Sequence, residues 1–342
     1  MLPRIGITMG DPAGIGPEIL AKALTSGQLS SFCTPIVIGD ARVLEQALQL
    51  VGGVTAYARV VKLPGDLIEG RTYLLDLSNI APDDYSWGEV SAAAGQAAGE
   101  FIEKAVALAL AKKIDAVATN PINKEAFTLA GFGKRYPGHT EMLASLTGSK
   151  RYCMMLAHGE LRVCHVSTHV SLRDAIDKQI KQARILEVIE LAHDACQRLG
   201  IQSPAIGVAG LNPHASEGGL FGDEEQREII PAVEAAKGKG IDAQGPIPAD
   251  TLFSRALGGE FAAVIALYHD QGHIPVKLAG FRYSHDTGAW DMSGVNVTLG
   301  LPIIRTSVDH GTAFDKAGEG EADHRSLVEA IRYAARLATS AR

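Results

Sequence analysis

Seven times along this chain a short apolar run rich in β-branched residues breaks into a polar loop of Gly, Pro, Asn, Asp or His. The runs cover residues 4–9, 35–38, 114–118, 161–167, 205–210, 262–267 and 303–308. None alternates strictly between apolar and polar, the pattern of strands buried on both faces of a mostly parallel sheet. Amphipathic helical stretches lie between them: an Ala-rich one over 91–113, one or two over 173–199, and a last one over 323–339. The pattern predicts an α/β fold with mostly parallel sheets. At 342 residues the chain exceeds what one core comfortably holds. Two lobes are therefore expected, 1–135 with 303–342 and 136–302.

Charge and composition exclude several classes. The net charge is −7 without a basic block, so nucleic acid is not an expected partner. No run approaches the roughly 18 apolar residues of a membrane helix, and the first residues lack a signal peptide's apolar stretch. Cys33, Cys153, Cys164 and Cys196 show no CxxC spacing, which reads as buried, reduced thiols of a cytoplasmic protein.

In open α/β sheets ligands bind outside the carboxyl ends of the strands, where these loops begin. The first loop, residues 10–18 (GDPAGIGPE), imitates a dinucleotide fingerprint but places Ile19 where the third glycine belongs. Asp40 resembles a ribose-binding acid, yet an Asp at a strand end is common. The reading is a tight turn shaping a cleft wall. Residues 131–135 (GFGKR) also fail as a phosphate-binding GxxxxGK[ST] loop.

His169, His214 and His269 each follow a different run, so three imidazoles can converge on one divalent metal; hydrogen-bonded or solvent-facing histidines are the alternative. His158, His193 and His324 read as surface residues. Asp250 and Asp270 are candidate carboxylates for proton transfer or for orienting a ligating histidine, or else helix caps. Thr140, after His139, is expected to start a helix whose N–H groups face a phosphate. Lys277 and Arg305 flank apolar runs, as anion binders or as salt-bridged surface cations.

These loops together resemble the 4-hydroxythreonine-4-phosphate dehydrogenases of pyridoxal phosphate biosynthesis. The resemblance rests on residues 6–18 (GITMGDPAGIGPE), 120–124 (NPINK), 137–141 (PGHTE), 211–215 (LNPHA), 268–272 (YHDQG), 295–302 (VNVTLGLP) and 304–313 (IRTSVDHGTA). It implies a two-lobed, isocitrate-dehydrogenase-like α/β/α fold. It also implies a homodimer whose subunits share the site, and NAD (NADP as the alternative) bound without the usual glycine fingerprint. His169, His214 and His269 would hold zinc, cobalt or magnesium, one of them donated across the dimer. His139, Thr140, Lys277, Asn296 and Arg305 would contact a small phosphorylated substrate, and Asp250, with Lys277, would serve catalysis. The implied reaction is oxidation and decarboxylation of 4-hydroxythreonine 4-phosphate to 3-amino-2-oxopropyl phosphate. 4-Phospho-D-threonate or 4-phospho-D-erythronate is the alternative substrate, and a phosphate acyltransferase-like enzyme the alternative class. One departure stands out: residues 282–293 (RYSHDTGAWDMS) fill a connection for which the family pattern needs only a residue or two. They read as an exposed hairpin, or as a segment that reshapes the pocket or the dimer contact.

Overall fold

The computed structural model describes residues 1–136, 138–284 and 289–340. The chain forms two compact units, 1–150 with 301–342, and 151–300.

The first unit contains β1 (Arg4–Thr8), α1 (Gly16–Thr25), β2 (Thr34–Gly39), α2 (Ala41–Leu50), β3 (Tyr57–Val60), β4 (Thr72–Asp76), α3 (Ala92–Leu110), β5 (Ala116–Thr119), α4 (Lys124–Leu129) and α5 (His139–Leu146). β14 (Arg305–Val308) and α11 (Arg325–Ser340) complete it. α5 packs with α3, which carries this unit to residue 150 where 135 was expected. Its six strands are all parallel, in the order β3-β4-β2-β1-β5-β14. Strands β2, β5 and β14 are buried along their whole length, as unalternating runs require. α11 packs on β14, β5 and β1, and α3 on β1, β2 and β5. The strand order reverses between β1 and β5, so the crevice above Thr8 and Thr119 is where such a sheet binds ligands.

The second unit runs β6 (Cys153–His158), β7 (Leu161–His165), α6 (Leu172–Asp174), α7 (Gln182–Arg198), β8 (Ile206–Ala209), α8 (Ile230–Gly238), β9 (Ala243–Ile247), α9 (Ala249–Leu257), β10 (Ala263–Ala266), α10 (His269–Gly280), β11 (Phe281–Ser284), β12 (Ala289–Met292) and β13 (Val295–Leu299). Its sheet order is β13-β6-β7-β10-β8-β9. The four strands from β7 to β9 are parallel, while β6 pairs antiparallel with both β7 and β13. Leu156, Val163, Leu252, Phe261, Val264 and Val276 form one packed core beneath α9 and α10.

Within 282–293, β11 and β12 pair antiparallel from Phe281↔Met292 to Ser284↔Ala289; residues 285–288 lie outside the described residues. The base of this ribbon is tied down, because the Ser293 N–H donates to the Gly280 carbonyl at 3.0 Å. His158 Nδ1 meets Ser293 Oγ at 3.0 Å, which takes His158 off the surface where it was expected. His193 and His324 are likewise half-buried, beside Asp194 and Asp323 respectively. All four cysteines are buried and free. Among the described residues no helix is long and apolar enough to cross a membrane.

Candidate active site

β7, β10 and β8 lie side by side and parallel, and their carboxyl ends lead into the loops of His169, His269 and His214. His169 and His269 come together, with ring centroids 6.0 Å apart. His269 opens α10, and its Nδ1 engages Asp270 Oδ1 at 2.6 Å. A ring held by a carboxylate on Nδ1 carries its lone pair on Nε2, the arrangement of a metal-ligating histidine. His214 does not join them in this chain. Its ring packs 6.4 Å from Phe221, and among the described residues no three His, Cys, Asp or Glu of one chain are placed to hold an ion.

The loop bearing His214 is strained. Residues 214–218 all have left-handed backbone, with φ between 47° and 69°. Four of them are not glycine, and each such residue costs about 1–2 kcal/mol. Glu225, buried in the second unit, holds the loop in place: one carboxylate oxygen accepts from the Leu211 and Asn212 N–H groups at 2.8 and 2.7 Å, the other from Asn212 Nδ2 at 2.8 Å. Gly210 lets this turn lie on the strand end, since a Cβ there would stand 2.9 Å from Ala215. Nothing near Glu225 in the sequence marks it, because the clamp spans more than ten residues.

Lys277 follows His269 two turns later on α10, half-buried, its Nζ 5.4 Å above the Phe281 ring. Asn296 is half-buried in β13 with a buried Oδ1 that has no protein partner. Asp250 is exposed in the first turn of α9, where a carboxylate also favours the helix dipole.

The first unit gathers the other candidates. α5 begins at His139, one residue earlier than expected, because extended Gly138 serves as its N-cap and supplies no side-chain cap. The N–H groups of its first turn, Thr140 included, are therefore open to an anion. His139 Nε2 is buried without a protein partner. Burial, with the charge of Arg305 adding to it, holds this imidazole well below its ordinary pKa and hence neutral. Arg305 is 3% exposed and donates from Nη2 to Thr119 Oγ1 at 2.9 Å. Burial lowers its pKa to about 10 against the opposing pull of Glu141, so it stays charged at neutral pH. It is not the exposed surface cation of the alternative reading.

The loop after β1 is closed on itself. The Ala13 N–H donates to Asp11 Oδ1, Gly14 N–H to the Asp11 carbonyl, and Ile15 N–H to the Thr312 carbonyl. With those amides spent, the 13–15 stretch of the turn does not present them to a pyrophosphate. Asp40 is equally committed, to the Arg42 guanidinium and to the Arg42 and Ile80 N–H groups. A cavity of about 340 Å³ lined by Leu24, Leu29, Tyr57, Arg71 and Thr72 sits at the amino ends of β3 and β4, away from the carboxyl-end loops.

Asp11 itself is fully buried at the β1–β5 crevice, and burial raises its pKa to about 6 although the Ala13 and Asn123 N–H groups pull it down. The unfolded chain releases this proton near pH 3.8 and the folded chain near 6. Stability therefore falls as pH rises through that window, and the penalty, roughly 3 kcal/mol, is complete above it. Asp11→Asn should accordingly stabilise the protein at pH 7.5 and change little at pH 4, as denaturant melts would show. An equal effect at both pH values would rule out a buried carboxylate as the cause.

Residues 31–334 match the family described as pyridoxal phosphate biosynthetic protein PdxA. The chain belongs to the PdxA family. It is 52% identical over 341 residues to the D-threonate 4-phosphate dehydrogenase of Cupriavidus necator, covering 99% of this chain and 98% of that one. Two solved structures called 4-hydroxythreonine-4-phosphate dehydrogenase also match. The one from Burkholderia phymatum is 49% identical with a TM-score of 0.83, covering 98% of each chain. The one from Klebsiella pneumoniae is 45% identical with a TM-score of 0.87, covering 99% of this chain and 98% of that one. These members of the PdxA family are named as dehydrogenases of phosphorylated hydroxy acids.

Proposed function

We propose that this chain is an NAD- and metal-dependent dehydrogenase of a four-carbon 3-hydroxy acid phosphorylated on C4, D-threonate 4-phosphate first, acting as a cytoplasmic homodimer. The observation that carries the reading is the approach of His169 to His269 with the latter's Nδ1 engaged by Asp270. Two imidazoles from one copy, completed by His214 from a second, fit a borderline divalent ion such as zinc or cobalt better than magnesium. Such an ion, when bound, polarises the hydroxyl oxygen to be oxidised.

The residues of the chain itself do the rest. In the first unit the α5 N-terminus, Arg305 and neutral His139 are the phosphate-binding groups of this reading. In the second unit Lys277 and Asn296 are substrate contacts, and Asp250 accepts the hydroxyl proton. Oxidation at C3 leaves a 3-keto acid, which loses its carboxylate as CO₂ to give a three-carbon keto phosphate. NAD is the hydride acceptor of this reading; the Ala13, Gly14 and Ile15 amides of the first turn, already hydrogen-bonded, are not what holds it.

The 52% identity to the Cupriavidus enzyme favours D-threonate 4-phosphate; the names of the two solved structures favour 4-hydroxythreonine 4-phosphate. The two acids differ only in a hydroxyl or an amino group on C2. Rates of NADH formation with each, compared as kcat/KM, decide between them. No NADH from either substrate, with zinc or cobalt supplied, would remove the dehydrogenase reading.

A further inference from the structure

One histidine of α10 has no part in the scheme above. His273 follows His269 at i+4, a spacing that on a helix face often brings two imidazoles to one metal. Here the rings do something else. They stack face to face, centroids 3.7 Å apart and planes 10° from parallel. His273 Nδ1 lies 2.9 Å from the His269 carbonyl oxygen, to which its N–H donates. Stacked rings direct their edge nitrogens side by side rather than toward a common point, so His273 is not built to share an ion with His269.

Behind His273 stands a third ring. His165, the last residue of β7, is 1% exposed, and its centroid is 4.7 Å from that of His273 at a 54° tilt. Gly272 makes room for it, because a Cβ at 272 would fall 2.3 Å from His165 Nε2. A glycine inside a helix costs about 1 kcal/mol relative to alanine, so its place here is explained by the ring it admits. Three imidazoles thus run from the buried end of β7 to the half-exposed His269.

We infer that His273, braced by His165, is a positioning residue that fixes the plane of the His269 ring for metal binding. The inference rests on the metal site proposed above. Among the described residues His269 Nδ1 meets the exposed carboxylate of the adjacent Asp270, a contact that by itself does not fix the plane of the ring. The flat face of His273 does. Losing a hydrogen-bonded outer partner of a ligating histidine typically lowers metal affinity 10–100-fold, and losing the stacked ring is expected to act on the same scale.

The test uses the full chain stripped of metal, with cobalt(II) as probe and visible ligand-field absorbance as readout, so turnover is not needed. The wild type should bind with an imidazole-type spectrum. His273→Ala should bind about 10–100-fold more weakly with an unchanged band shape. His273→Phe, which keeps a flat ring, should return to within a few-fold of wild type, while His273→Gln, which keeps a donor but no ring, should stay weak. The last pair carries the comparison should the alanine protein not fold. Alanine binding as tightly as wild type would overturn the inference. So would phenylalanine as weak as alanine with an altered band shape, since that marks a direct ligand. Absence of cobalt binding by the wild type would instead remove the metal site, and this inference with it.

Discussion

His214→Ala and His269→Ala enzymes, each inactive alone, are expected to regain activity when they share a dimer. Each single change should lower kcat/KM by at least about 10³-fold, since the polarisation a bound metal supplies is worth several kcal/mol. The geometry then separates the two losses. His269 pairs with His169 in one chain, and among the described residues no third ligand of that chain joins them. If the second copy supplies His214, a mixed dimer has one site with both defects and one with neither. A heterodimer isolated by two different tags should therefore show roughly half the wild-type kcat per dimer, as a two-fold shared site requires. The His214→Ala homodimer, prepared identically, is the control. A heterodimer as inactive as either parent would place His214 and His269 in the same site of one chain, and the shared-site reading would fail.

Much of this was legible from local patterns, and the gaps have physical causes. Strands such as β1, β5 and β10 are apolar on both faces, so burial writes itself into consecutive residues. The same logic put His169, His214 and His269 each at the end of a different strand; the pairing of β7 with β10 makes the first and last of them neighbours. β9 escaped notice because Gly245-Pro246 lies inside it, a pair that signals a turn; an edge strand tolerates it. β6, with Cys153, Met154 and Met155, lacks the β-branched residues that advertise a strand. The helix at His139 starts a residue early because a bare glycine caps it, where a threonine was the stronger signal. Glu225 and His165 act through contacts between elements distant in sequence, and no spacing rule reports such pairs. His273 was not singled out in the sequence at all; its stacked orientation decides its role.

Arg305→Met is expected to separate binding from stability. The guanidinium is 3% exposed, and burial lowers its pKa from the ordinary arginine value to about 10. At about 1.36 kcal/mol per pKa unit, keeping that charge inside costs the folded chain a few kcal/mol. A methionine of similar length removes the cost and forfeits the polar contacts of the guanidinium, the bond to Thr119 Oγ1 among them, so the ligand-free protein should melt close to the wild type. Binding should suffer instead. A charge-assisted hydrogen bond contributes about 1.5–3 kcal/mol, so KM for the phosphorylated substrate should rise roughly 10- to 150-fold. Arg305→Lys should recover only part of this, because an ammonium cannot present two parallel N–H groups to a phosphate. A protein keeps a costly buried cation where an anion must be bound, and this substitution tests that trade directly. An unchanged KM together with a lowered melting temperature would make Arg305 a structural residue and return the phosphate to other groups.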